Sequence, residues 1–149
     1  MKVSLQDWLN ERRLKTHKTS KKEINQLLAV FERDMADAQA KTLSADRRFS
    51  TAYNAALMVS IAALAASGYR ASSEGHHYWT IQSLALTLQL DAKTITKFNK
   101  FRQKRNISDY ERIGMVSEQE VREMIALAKE LHILVVEWLR KNHPELIQE

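Results

Sequence analysis

Residues 98–106 are a candidate for phosphate binding, because an arginine held in position on a helix can bind phosphate in a bidentate way. Ile95, Phe98 and Phe101 follow the spacing of one helix face, and the continuation of this apolar stripe falls on Arg105. Arg105 lies two helical turns after Phe98, so the two side chains point in nearly the same direction. We therefore expect Arg105 to be half-buried at the end of the stripe.

A half-buried guanidinium needs an acceptor, because an unpaired buried charge costs several kcal/mol. Asp109 and Tyr110, four and five residues after Arg105, are the local candidates. From spacing alone, an ion pair between Arg105 and Asp109 that holds the helix end is favoured over a ligand-binding role.

Positive charge is concentrated in two stretches of the chain. The net charge is +5, and residues 11–22 carry six bases against one acid, whereas residues 93–105 carry six bases and no acid. Residues 118–149 hold seven glutamates against four bases. The pattern indicates either a face for a polyanion or an ordinary solvated surface. The candidate nucleic-acid-binding residues are Arg102, Lys104, Lys97 and Lys100.

The histidines do not form a metal-binding pattern. His76 and His77 are adjacent, which differs from the i, i+4 spacing of a helical metal pair, and we expect them at a loop or helix start with one ring packed inward. His132 is expected to be a satisfied core residue. The chain has no cysteine, which excludes a thiol nucleophile and a cysteine-ligated metal. No metal and no cofactor are expected.

Composition predicts a single all-α domain over residues 1–149. The chain has three glycines and one proline, which leaves little room for hairpins. The N-terminus does not have the pattern of a signal peptide, and the apolar run 52–67 is shorter than the ~20 residues that a bilayer requires. We therefore expect a cytoplasmic protein with a buried central helix.

Capping signals divide the chain into helices. Ser4 can cap a short first helix, and Ser20 with Glu23 forms a capping box for a second. Ser44 or Asp46 begins a third helix, whose alanines predict close approach by neighbouring helices. These elements favour an antiparallel up-and-down helical bundle.

The second half of the chain also contains residues that signal where helices begin and end. Gly68 is expected to end the third helix as a left-handed residue, and a loop over 72–75 precedes a fourth helix predicted for 79–90. Asp91 caps a fifth helix that runs to about Asn106. A second capping box, formed by Ser117 and Glu120, opens the last helix, and Pro144 closes it.

Five short motifs occur in an order that resembles the small bacterial HEPN-domain proteins (higher eukaryotes and prokaryotes nucleotide-binding). They are ADRRF at 45–49, AYNAAL at 52–57, GYR at 68–70, GHH at 75–77 and RQKRNISDYE at 102–111. The resemblance covers roughly residues 15–140. It implies a helical bundle that forms homodimers and acts on RNA, or that partners a minimal nucleotidyltransferase in a toxin–antitoxin or defence system.

The resemblance also implies a site. Active HEPN ribonucleases work without metal and carry an Arg, then a polar residue, then a His four to six residues after the Arg. Arg105 and Asn106 match the first two positions, whereas Asp109 and Tyr110 stand in the region of the histidine. Tyrosine, with an ordinary pKa near ~10, is poorly matched to proton transfer at neutral pH. The four residues are thus the candidate catalytic set, flanked by His76 and His77.

The resemblance therefore implies an RNA- or nucleotide-binding protein with a degenerate ribonuclease centre. One alternative is a non-catalytic interaction module that docks a nucleotidyltransferase. The other is an active, metal-independent HEPN ribonuclease. In some HEPN toxin pairs a motif tyrosine is modified by the partner, which gives Tyr110 a third role beside a structural and a catalytic one.

Overall fold

A computed structural model describes residues 2–107 and 114–147 of the chain. Asp109 and Tyr110 lie outside the described residues, and with them the Arg105–Asp109 ion pair expected above. The helices are α1 (Leu5–Asn10), α2 (Lys21–Ala38), α3 (Ala45–Ala66), α4 (His76–Thr87), α5 (Ala92–Arg105) and α6 (Glu118–Asn142), followed by a 3-10 turn (Pro144–Leu146). Two short strands, β1 (Leu14–Thr16) and β2 (Tyr69–Ala71), complete the structure.

The predicted all-α bundle is confirmed, and α3 is its central helix. α2, α4 and α6 all pack against α3, and its alanines permit this close approach because their side chains are small. By length and composition α3 could span a membrane, yet 67% of its apolar window is buried inside the protein. Its hydrophobicity is therefore accounted for by the core of the bundle.

Aromatic contacts fix α5 against α3. Phe49 and Phe101 meet edge to face with ring centroids 5.5 Å apart, and Tyr53 meets Phe98 in the same way at 5.7 Å. Ile95, Phe98 and Phe101 are buried, as the apolar stripe predicts. Edge-to-face pairs of this kind add about 0.5–1.5 kcal/mol each to the burial of their area. This packing sets the direction in which the last turn of α5 presents its arginines.

Side-chain caps start most of the helices where the sequence places them. The hydroxyls of Ser4, Ser44 and Ser117 and the carboxylate of Asp91 each accept a backbone N–H of the first turn. Ser117 and Glu120 form the predicted capping box in full. Each cap satisfies an N–H that would otherwise lack a partner, which stabilises the helix by about 1 kcal/mol where a serine provides it.

The capping box predicted for α2 forms only in half. The Ser20 hydroxyl accepts the Glu23 N–H at 3.1 Å, as expected. The Glu23 carboxylate turns instead to Nε2 of His17 at 2.7 Å and to the hydroxyl of Thr19 at 2.6 Å. The Glu23 carboxylate therefore accepts from these two side chains in place of the backbone N–H of Ser20.

Helix α4 begins three residues before the predicted start at Trp79. Gly75 is the N-cap, with a left-handed φ of 70°, and its carbonyl accepts the Trp79 N–H at 2.9 Å. The cap has no side chain, so the capping signal used elsewhere is missing here. The helix ends at Thr87, before the predicted end, and Gln89 then takes a positive φ of 55°. As a result, His76 and His77 occupy the first turn of α4.

The sequence analysis did not predict the small antiparallel sheet. Leu14 of β1 pairs with Ala71 of β2, and Thr16 pairs with Tyr69. Gly68 ends α3 with a φ of 98°, as expected, and its carbonyl accepts the His17 N–H at 2.9 Å. Strands of three residues are too short to show an alternating pattern. The sheet fastens the first basic stretch to the connection between α3 and α4.

Candidate functional site

The last turn of α5 brings two arginines to the aromatic side chains of neighbouring helices. Arg105 is half-buried, as its place on the stripe predicts, and its Cζ lies 5.8 Å from the ring centre of Tyr53. Arg102 is also half-buried, with its Cζ 5.5 Å from the ring centre of Tyr78. Nε of Arg102 donates to Oδ1 of Asn99 at 2.8 Å, which orients the guanidinium.

His77, in the first turn of α4, lies close enough to these arginines for their charges to act on its ring. Its Nδ1 is 3.1 Å from the hydroxyl of Tyr53, and the two ring centroids are 5.9 Å apart. His77 is thus the ring of the histidine pair that packs inward onto α3. His76 stands next to it, with ring centroids 5.8 Å apart, and lines a separate cavity of about 270 Å³ together with Arg70.

Burial and positive charge determine the protonation states of this group. Burial raises the pKa of Tyr53 to about 12, although the charges of Arg102 and Arg105 act in the opposite direction. Burial also lowers the pKa of His77, and the charges of Arg105, His76 and Arg102 lower it further. Burial and then Arg70 lower the pKa of His76. At neutral pH both histidines are therefore neutral, and Tyr53 keeps its proton.

The four side chains form what we call the arginine–histidine site: Tyr53, His77, Arg102 and Arg105. With the ring proton of His77 on Nδ1, that N–H can donate to the hydroxyl oxygen of Tyr53, which leaves the lone pair of Nε2 to accept a proton. Two guanidinium groups beside a neutral imidazole and a phenol suit an anion with several oxygens. A neutral imidazole can also accept a proton from a bound substrate.

The lysines predicted to share this face lie on the other flank of α5. Lys104 forms an ion pair with Glu120 of α6, and Lys97 lines a shallow depression with Glu123 and Glu130 of the same helix. The acidic α6 therefore lies beside this flank, whereas Arg102 faces α4. Lys100 and Asn106 are exposed on the surface of α5 and its end.

Other residues of the five motifs hold the bundle together. Nη2 of Arg48 donates to Oε1 of Glu118 at 2.7 Å, which connects the start of α3 to the start of α6. Nδ2 of Asn54 donates to Oδ2 of Asp34 at 2.7 Å, and that carboxylate is buried. Arg33 pairs with the other oxygen of the same carboxylate at 3.3 Å, so Asn54 and Arg33 together satisfy a buried charge and Asn54 has a structural role.

Tyr53 is the site residue that sequence reasoning did not identify. It belongs to one of the five motifs, but its place on a buried helix face is equally typical of a core aromatic. Its hydroxyl was the available signal, since a buried phenol usually has a hydrogen-bond partner. In the part of the chain that the structure describes, no group of three or more histidine, aspartate or glutamate side chains could hold a metal.

Comparisons with models of known protein families, with curated proteins and with solved structures found no match to this chain.

Proposed function

We propose that this chain is a HEPN-like protein that binds RNA or a nucleotide, with a phosphate held by Arg102 and Arg105. The observation that carries the proposal is the placement of Arg105 against Tyr53, the hydrogen-bond partner of His77, with Arg102 against the neighbouring Tyr78. An arginine fork matches the oxygens of a phosphate in a bidentate way, and partial burial strengthens each such bond.

The resemblance supports the same ligand class, because Arg105 and Asn106 match the first two positions of the HEPN ribonuclease motif. We propose that the centre is degenerate at the histidine position of that motif. On the same basis we propose a role in a toxin–antitoxin or defence system.

A second candidate, metal-independent RNA cleavage, is favoured by the position of His77. Its neutral imidazole can accept the proton of a ribose 2′-hydroxyl as that oxygen attacks the adjacent phosphorus. The 5′-oxygen of the next nucleotide then leaves as a hydroxyl by taking the proton back from the His77 imidazolium, and a 2′,3′-cyclic phosphate is left. Arg105 stabilises the charge on the phosphate oxygens. Within this candidate, His77 takes the role of the histidine that the motif lacks.

The site also fits a homodimer in which the two Arg105 regions meet at one groove. This proposal depends on the resemblance and on the half-buried arginine, and a two-fold axis would build one site from two copies. Light scattering at micromolar concentration tests it. A strict monomer, or a dimer with its arginines on opposite outer faces, contradicts it.

Titration of labelled single-stranded RNA at two salt concentrations tests the binding function. Arg105→Ala is expected to weaken binding more than Lys97→Ala, because Lys97 contributes only screened charge. Wild-type binding is expected to weaken steeply with salt, since each neutralised phosphate releases counterions. Equal losses in the two variants would indicate a diffuse basic surface without a site. Salt-tolerant binding to a nucleotidyltransferase, with no RNA binding, would favour the interaction module.

A further inference from the structure

We propose that the arginine–histidine site continues into a stacking surface for an unpaired nucleobase, with Tyr78 as the residue on which the base stacks. The surface consists of Arg13, Tyr78, Trp79 and Arg102, and we call it the Tyr78 surface. The inference rests on the proposed function and specifies the ligand as single-stranded RNA. A ligand recognised through its phosphates alone would not need this surface.

Tyr78 is held in position from two sides. Its ring meets that of Trp79 edge to face, with centroids 4.9 Å apart and planes at 88°. The guanidinium of Arg102 lies 5.5 Å from its ring centre. Tyr78 is nevertheless only half-buried, so part of the phenol is open to solvent. A ring that is oriented in advance loses little freedom when a base stacks on it.

Trp79, itself half-buried, packs against the buried cluster that contains Trp8 and so supports Tyr78. It meets Trp8 edge to face at 5.1 Å, and the guanidinium of Arg13 lies 4.2 Å from its ring centre. Gly75 permits this arrangement, since a Cβ at that position would lie only 3.1 Å from Cδ1 of Trp79. Trp79 is thus held by Trp8 and Arg13, and we assign the base to the solvent-exposed part of Tyr78.

The Tyr78 surface also joins the two basic stretches of the sequence. Arg13 belongs to residues 11–22 and Arg102 to residues 93–105, and the small sheet holds Arg13 next to α4. The four side chains therefore form a continuous series of contacts in the order Arg102, Tyr78, Trp79 and Arg13. Aromatic rings interleaved with positive charge are typical of surfaces that bind single strands, where bases stack and phosphates pair with arginine. In a duplex the bases are already stacked on each other and are not free to stack on Tyr78.

The proposal is tested with a labelled oligouridylate, an abasic oligomer of equal length and charge, and an RNA duplex. Wild-type protein is expected to bind oligouridylate about tenfold more tightly than the abasic oligomer, which is the usual contribution of one stacked base. Tyr78→Leu is expected to remove this preference and leave the slope of affinity against salt unchanged, because the number of phosphate contacts stays the same. Tyr78→Phe keeps the ring and is expected to bind as the wild type does.

Control variants separate the proposal from a loss of folding and from the proposed function. Trp138→Leu removes a half-buried aromatic residue at the other end of the chain and is expected to leave binding unchanged, while thermal melting confirms that each variant folds. Equal wild-type affinity for oligouridylate and the abasic oligomer, or tighter binding to the duplex, overturns the stacking proposal and leaves the phosphate site standing. Absence of binding to all three probes overturns both.

Discussion

The hydroxyl of Tyr53 and Nδ1 of His77 lie 3.1 Å apart, which joins the central helix α3 to the first turn of α4 directly beside the two arginines of α5. Each partner has a perturbed pKa. Burial raises the pKa of Tyr53 to about 12 and lowers the pKa of His77, so both are held in their neutral forms. The contact therefore fixes the orientation of an imidazole that is available for proton transfer.

Removal of the Tyr53 hydroxyl is expected to destabilise the fold modestly. Tyr53→Phe keeps the ring against Phe98 but leaves Nδ1 of His77 without this partner, so we expect a loss of about 0.5–1.5 kcal/mol in the free energy of unfolding. Urea denaturation measures the change. Tyr78→Phe is the matched control, because the Tyr78 hydroxyl makes no hydrogen bond with the described residues, and it is expected to be neutral. Equal effects of the two substitutions would contradict a stabilising role for the contact.

The stability of the protein is expected to fall below pH ~6.5, in part because of His77. Its pKa is lowered in the folded protein, first by burial and then by Arg105, whereas in the unfolded chain it is near ~6.5. The unfolded state therefore binds the proton first as the pH falls, and folding stability decreases until the pH passes below the folded pKa. His76 and His132, whose pKa values are also lowered, act in the same direction.

The contribution of His77 to this loss of stability is measured by comparing the melting temperatures of the wild type and His77→Asn at pH 7 and pH 5.5. This interval lies above the range in which carboxylates titrate. His77→Asn retains a polar group near Tyr53 but cannot be protonated, so its melting temperature is expected to fall less than that of the wild type. An identical fall in both proteins would mean that His77 has the same pKa in the folded and unfolded states.

Arg102 and Lys104 are expected to differ in RNA binding although they are two residues apart. Lys104 forms an ion pair with Glu120 on the α6 flank, whereas Arg102 faces Tyr78. We expect Arg102→Ala to weaken RNA binding by roughly fivefold or more and to reduce the salt slope by about one. Lys104→Ala is expected to change the affinity by less than about twofold and to cost about 0.2–1 kcal/mol of stability. Fluorescence anisotropy at several salt concentrations measures both effects. Comparable losses of affinity would contradict the division of α5 into two flanks.

Signals from neighbouring residues in the sequence were sufficient to predict most of the helices of the fold. Caps such as Ser4, Asp91 and Ser117 have side chains that bond the backbone a few residues away, so their effect depends only on neighbouring positions. The start predicted for α4 was wrong because Gly75, the residue that caps this helix, has no side chain to signal a cap. The sheet was missed because each strand has three residues and is paired across more than fifty positions of the chain.

The candidate site could be predicted only in part, for a related reason. The half-burial of Arg105 follows from the periodicity of one helix, which is local information. The contact between Tyr53 and His77 depends on how α3 and α4 pack, and no spacing within either segment encodes it. Lys97 and Lys104 were grouped with Arg102 because they share a basic stretch, whereas the neighbours of α5 determine which charges are already paired.

RNA binding is expected to strengthen as the pH falls from 8 to 6. Burial and, after it, the charges of the neighbouring arginines lower the pKa of His77. A phosphate bound between Arg102 and Arg105 offsets the part due to charge, so the bound state takes up a proton that the free protein does not hold. By linkage, affinity then rises with proton concentration, by at most about tenfold per pH unit for one group. His77→Asn is expected to bind with little dependence on pH, and Arg105→Ala to bind more weakly at every pH. Anisotropy titrations at constant ionic strength measure the dependence, and circular dichroism at each pH verifies folding. If His77→Asn keeps the pH dependence of the wild type, then His77 does not face the bound phosphate, and the cleavage candidate loses its proton acceptor.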